Sequence, residues 1–163
     1  MMPELKMLTR HTFYDHVFEE GDDCFVFVYT SSVEDQTQQM VAGKVNELAM
    51  KFGHMSISSV KFYGYDVNVE NQPPRIESQE VPQILFFPAF HKGPPYRKFL
   101  GQPKPSEMAA WIQKLADKKF EITQDLAQIE QFQEMKMKQQ IEEMERKKQL
   151  KMIDDELRRR GEL

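Results

Sequence analysis

Cysteine is almost absent from this chain: Cys24 is the only one in 163 residues. No internal disulfide can form, so nothing in the cysteine content points to an oxidising compartment. Glycine is scarce as well, and the seven glycines stand singly between other residues, which leaves no glycine-rich loop to cradle a phosphate. No apolar run approaches the roughly 20 residues that span a bilayer, and no apolar signal segment precedes the first helical pattern. The formal charge of -4 offers no basic surface for nucleic acid. The four histidines are dispersed; His11 and His16 are five apart, off a common helix face, while His54 and His91 lie on other elements. Solvated surface histidines, with no metal site and no cofactor, are therefore expected. The carboxylate pairs Asp22-Asp23 and Glu34-Asp35 stand at turns or helix starts, where they satisfy backbone donors or complement a helix dipole.

Against these absences the apolar run Cys24-Phe-Val-Phe-Val-Tyr29 stands out. It is short, rich in β-branched and aromatic residues and bounded by turn formers, which reads as a strand buried on both faces. Val41, Val45, Leu48 and Phe52 then recur at the spacing of one helix face, with Gly53 as a stop. A second strand within 57–69 contains Val60, Phe62 and Tyr63 and closes at Asp66, so a crossover helix joins a parallel pair. Val81-Pro82 opens an apolar strand to Phe87, with proline where a missing N–H is tolerated. His91 to Pro95 reads as a turn and Tyr96 to Leu100 as the returning strand of a hairpin, closed by Gly101. Ser106 caps a final helix burying Met108, Ile112 and Leu115, with Trp111 at its edge, and Thr9 caps a first helix carrying Phe13, Tyr14, Val17 and Phe18. The order is α, β, α, β, loop, β, β, α.

This order and its landmarks resemble the thioredoxin superfamily over residues 8 to 118. The landmarks are Leu8-Thr9 with Phe13, the strand Phe25 to Tyr29, Asp66, Val81-Pro82, the Lys92-Gly93 turn, and Gly101 followed by Trp111-Ile112. The resemblance implies an α/β three-layer fold, a central mixed sheet of about four strands flanked by helices, in a domain spanning 1–118. It also implies a cis peptide bond at Pro82, facing the position of the family's active site. Residue by residue, the family's nucleophilic cysteine falls at Val33, the resolving cysteine at Gln36, the buried acid at Phe27 and the preceding tryptophan at Ser32. Disulfide exchange needs a thiolate at this turn, and none of these residues supplies one. The four departures together imply that the chain is not an enzyme of that kind. Cys24, opening a buried strand, reads as a small hydrophobe.

The remainder, 119–163, is a charged, methionine-rich extension that the family does not require. Neither proline nor glycine occurs from Ser106 to Arg160, and helix formers dominate beyond Glu121. A long C-terminal α-helix follows, about 60 Å for some forty residues, with a break at 120–123 recapped by Thr123. Ile122, Leu126 and Ile129, then Met137, Ile141 and Met144, then Ile153 and Leu157 recur at spacings of three and four, but the register slips between the groups and Lys148 interrupts the seam. A clean two-stranded coiled coil keeps its register over several heptads. These eight residues are accordingly read as contacts to partner proteins, made piecewise, with Met135 and Met152 adding adaptable thioethers. The alternative is a solvated single helix held by pairs such as Glu142-Arg146 and Glu143-Lys147. Arg158 to Arg160 suit a helix C-terminus electrostatically. Asn71 to Arg75 reads as extended loop, and Pro94-Pro95 and Pro103-x-Pro105 as rigid turns.

Three functions remain open on these residues. The first is a non-catalytic structural or adaptor subunit of a multi-protein complex, docked by its C-terminal helix. Redox-silent modules of this family occur in mitochondrial complexes and ciliary axonemes, which implies an intracellular, non-secretory setting in cytoplasm, cilium or mitochondrion. The second is a chaperone-like module holding extended peptides in the groove beside Val81-Pro82, and the third a single-cysteine redox protein using Cys24. The expected partners are protein subunits; no nucleic acid, membrane span or small-molecule substrate is expected.

Overall fold

A computed structural model of the chain describes residues 2–161; residues 1 and 162–163, the outermost positions of the two expected domains, lie outside the described residues. Five strands form one mixed sheet: β1 (Lys6–Met7), β2 (Asp23–Tyr29), β3 (Val60–Asp66), β4 (Gln83–Phe87) and β5 (Arg97–Lys98), in the order β1-β3-β2-β4-β5. β2 pairs parallel to β3 and antiparallel to β4, and β1 and β5 occupy the edges. The sheet is one strand wider than the sequence pattern shows. Lys6 and Met7 are both exposed, so β1 carries no apolar alternation; only its backbone pairing with Tyr63 and Gly64 reveals it. Gly64 allows that approach, because a Cβ there would lie 2.7 Å from the Met7 sulfur.

All seven residues of β2 are buried, as expected of a central strand covered on both faces. Cys24, Val26 and Val28 point into a layer with Phe13, Val17, Tyr65, Leu85 and Phe87. The alternate face carries Phe25, whose ring lies 5.2 Å from Phe62 and 6.5 Å from Trp111; Phe86 and Phe99 also pack on Trp111. The helices cover these two faces. α1 (Arg10–Tyr14) starts on a reciprocal cap between Thr9 and Thr12 and continues as a π-helical turn, Asp15–Glu19, closed by Glu20 N–H donating to Asp15 C=O at 3.1 Å. α2 (Gln36–His54) buries Val41, Val45, Leu48 and Phe52. α3 (Val67–Glu70) is a single turn capped by Asp66, so 67–69 are helical rather than the end of a strand. α4 (Pro105–Leu115) buries Met108 and Ile112, with Trp111 half-buried.

Several helix ends differ from the sequence reading. α2 runs past Gly53; the left-handed position is taken by Ser56 at φ 58°, and Ile57 N–H closes the end on Phe52 C=O at 2.9 Å, the pattern usually built on glycine. α4 is entered from Lys104 with Pro105 in the first turn, where a missing N–H costs nothing, so Ser106 is inside the helix. The last helix, α5 (Leu126–Arg159), is capped by Asp125, which accepts from Gln128 N–H at 3.0 Å, and not by Thr123. His16 is half-buried rather than solvated, its ring over Tyr63 and its Nδ1 2.8 Å from Glu20. The Val81-Pro82 and Pro94-Pro95 bonds are both cis, and 71–82 holds no regular element. The chain divides into two compact units, Met1–Gln124 and Asp125–Leu163; residues 119–124 go with the first, where Phe120 packs on Phe52 and its C=O accepts from Gln113.

At the start of β2 the fully buried Asp23 carboxylate accepts three backbone N–H groups, from Ala89 (2.7 Å), Asp117 (3.0 Å) and Lys118 (2.9 Å). It ties the exits of β4 and α4 to the central strand. Asp23→Ala orphans all three donors and is expected to lower unfolding stability by about 3 kcal/mol, read from urea midpoints, whereas Asp23→Asn, which keeps one acceptor oxygen, loses less.

Candidate functional site

The turn after β2 is held by side chains that come from elsewhere. Gln38, buried on α2, accepts from Thr30 N–H at 3.1 Å and donates to Thr30 C=O at 2.8 Å. Asp66 accepts from Ser31 N–H and Asn68 N–H, each at 3.0 Å, and Asn68 donates to the Ser31 hydroxyl at 3.1 Å. The Thr30 and Ser32 hydroxyls meet at 2.7 Å, and Asp35 caps α2 on Thr37 N–H at 2.9 Å. Val33 is 57 % exposed and Gln36 opens α2, also exposed. Phe27 is fully buried and stacked on Tyr29, with ring centroids 5.5 Å apart. The turn therefore presents hydroxyls, an amide, the Val33 methyls and the exposed carboxylates of Glu34 and Asp35, and no thiol stands at Val33 or Gln36. Gln38 was legible only as a polar residue on the stripe of Val41 and Val45, where burial demands a partner.

Cys24 sits at the other end of the same strand, about 20 Å away at ~3.3 Å per residue. It is fully buried, its Sγ 3.3 Å from Asp22 C=O and 3.6 Å from both His16 C=O and Lys92 Nζ. Burial pushes its thiol up to about 11, a rise that Lys92 only partly offsets. Little thiolate exists near neutrality at such a position. Among the described residues no three His, Cys, Asp or Glu side chains converge on a metal position, and no helix is long and apolar enough to cross a membrane.

Beside Pro82 lies a recess of about 150 Å³ lined by Val41, Pro82, Ile84, Phe99 and Pro103. It is far smaller than the pockets of about 300 to 1,000 Å³ that enclose drug-sized ligands.

α5 extends about 50 Å over its 34 residues. Of the eight residues read as partner contacts, Ile122 precedes the helix, Leu126 is buried, and Ile129 and Leu157 are half-buried. Met137, Ile141, Met144 and Ile153 are each at least half exposed, together with Phe132 and Leu150. On one continuous helix at ~100° per residue, Met137, Ile141 and Met144 share an arc of about 60°, and Leu150, Ile153 and Leu157 share another roughly opposite. Ion pairs Glu143–Lys147 (3.4 Å), Asp154–Arg158 (3.4 Å) and Glu156–Arg160 (2.7 Å) lie along it.

No family model and no curated protein matches the chain. Among solved structures it is similar to the J-Trx1 fragment of ERdj5 (TM-score 0.56, 17 % identity, covering 70 % of this chain and 52 % of that one). It is similar also to the Trx4 domain of ERdj5 (0.54, 18 %, covering 67 % and 92 %) and to the zinc-bound form of human ERp44 (0.54, 16 %, covering 68 % and 29 %). The chain thus spans about half the length of the ERdj5 fragment and less of ERp44. At these identities the likeness is one of fold: the α/β sheet and its helices are thioredoxin-like, with α5 as a long C-terminal helix.

Folding raises the proton affinity of Cys24, and burial shifts Tyr29, Tyr63 and Tyr65 the same way. The folded state then binds more protons than the unfolded chain above pH 9, so stability is full below pH 9 and falls as pH rises through about 11. Urea midpoints across pH 7 to ~11 are expected to show that fall, and Cys24→Ala to make it shallower.

Proposed function

We propose that this chain is a non-catalytic structural or adaptor subunit of a larger protein assembly, its thioredoxin-like domain a compact brick and α5 its main docking element. The observation that carries this is the exposed apolar side of α5. Eight apolar residues, Phe132, Met135, Met137, Ile141, Met144, Leu150, Met152 and Ile153, stand at least half in water, and a helix kept for itself gains nothing from them. The intrahelical ion pairs hold it straight but contribute only a few tenths of a kcal/mol each. Two stripes on opposite sides fit a helix covered piecewise by neighbours better than one seam of a two-stranded coil.

The domain's own chemistry supports the same reading. With Val33, Gln36, Phe27 and Ser32 where the family carries its redox groups, and Cys24 buried at the far end of β2, no thiolate is offered to a disulfide. Cytoplasm, cilium and mitochondrion are the compartments such a subunit would occupy.

The test of docking is quantitative affinity purification of tagged full chain and of the Ile141→Glu/Met144→Glu double variant. Both positions are exposed, so the variant's stability should stay within about 0.5 kcal/mol of the parent per site. The expected outcome is loss of the co-purifying subunits by tenfold or more; undiminished recovery sinks the proposal. In parallel, the purified chain is expected not to accelerate insulin reduction by dithiothreitol. Acceleration that Cys24→Ser abolishes would show a redox enzyme instead.

A further inference from the structure

A groove of about 620 Å³ opens on the α1-side face of the β4–β5 hairpin, across the sheet from the recess beside Pro82. Its floor is apolar: Ile76 and Leu85 are buried there, and Tyr96 is anchored by the rings of Phe87 (5.3 Å) and Phe18 (6.1 Å). One wall is the strap 75–78. Arg75 holds that strap in place with a positive φ of 66°, its guanidinium 4.7 Å over the Tyr14 ring, a sparsely populated backbone of the kind that borders ligand clamps. Gln83 stands at the inner end and is 3 % exposed. Its Nε2 donates to Ser78 C=O at 3.1 Å, which fixes the amide's orientation, and its Oε1 finds no hydrogen-bond partner among the described residues.

The other wall is β5, an edge strand of the sheet. Phe99 N–H donates to Ile84 C=O at 2.9 Å, and Leu85 faces Lys98 in the register. Bonded and non-bonded pairs alternate in an antiparallel ladder, so the N–H and C=O of Lys98 point away from β4 to the open edge. A charged side chain commonly guards such an edge. Here the Lys98 ammonium is drawn to Glu80, and Leu100, two residues on, is 85 % exposed.

We infer that this groove binds an extended peptide segment of a partner protein, which adds as a strand at Lys98 and lays an apolar side chain on Ile76, Leu85 and Tyr96. Main-chain groups on an open edge call for main-chain groups, and the adjoining floor selects the side chain. The unpaired Gln83 acceptor offers a place for a donor carried by that side chain or by the incoming backbone. The inference stands apart from the role of α5, since it rests wholly on the first unit.

The test uses the full chain as bait for a phage-displayed library of random dodecapeptides, with the selected peptide then labelled with fluorescein for polarisation titrations. Lys98→Pro removes the outward N–H without touching a ladder bond, and Ser78→Trp fills the groove from an exposed position. Each is expected to weaken binding at least tenfold, while Val33→Ala leaves it unchanged. If Lys98→Pro fails to fold, Ser78→Trp decides. Selection of no peptide, or an affinity for Ser78→Trp within twofold of the parent, overturns the inference.

Discussion

A strand with a neighbour on each edge and a packed layer on each face has no place for a group that needs water, and β2 is such a strand from Cys24 to Val28. Its ends are where the chain must turn polar, and both ends are resolved by buried side chains reaching distant backbone. Asp23 gathers N–H groups from Ala89, Asp117 and Lys118 at one end. Gln38 and Asp66 hold Thr30 and Ser31 at the other. Hydrogen bonds to a carboxylate contribute about 1.5 to 3 kcal/mol each and those of the neutral Gln38 amide about 1, and together these knots fix where β4, α4 and α2 meet the central strand.

That constraint bears on function. The turn after β2 is where a thioredoxin-like domain would display a reactive sulfur, and here it displays Val33 and Gln36 between an amide clamp and a carboxylate clamp. The one sulfur that could react is instead sealed at the strand's other end, with its thiol pushed up to about 11 by burial. Apolar side chains left in water recur along α5, from Phe132 to Ile153, and Leu100 stands 85 % exposed just beyond β5. Both features support the role proposed for it.

Elements whose signal is local were legible in the sequence. The continuous apolar run of β2 and the face of α2 from Val41 to Phe52 announce themselves by period, length or flanking turn residues, as does the β4–β5 hairpin, although its strands are Gln83–Phe87 and only Arg97–Lys98, shorter than the expected Val81–Phe87 and Tyr96–Leu100. The features that escaped depend on partners far along the chain. β1 is two exposed residues recognised only by pairing with β3; Asp23 looks like any turn carboxylate until three remote N–H groups converge on it. Gly53 reads as a stop because glycine favours the left-handed position, yet Ser56 takes it. α5 starts at Leu126 because Asp125, not Thr123, takes the cap and accepts from Gln128 N–H. The groove behind β5 could not be foreseen at all, since its floor joins residues 76, 85 and 96.

The most direct measurement is hydrogen–deuterium exchange over residues 126–159, compared between the isolated chain and the chain within the complex it co-purifies with. A docked helix predicts rapid exchange along α5 in isolation and strong protection across 137–157 in the complex, with 30–36 unchanged. Equal exchange of α5 in both states, or protection confined to 30–36, would contradict the docking role and return attention to the turn after β2.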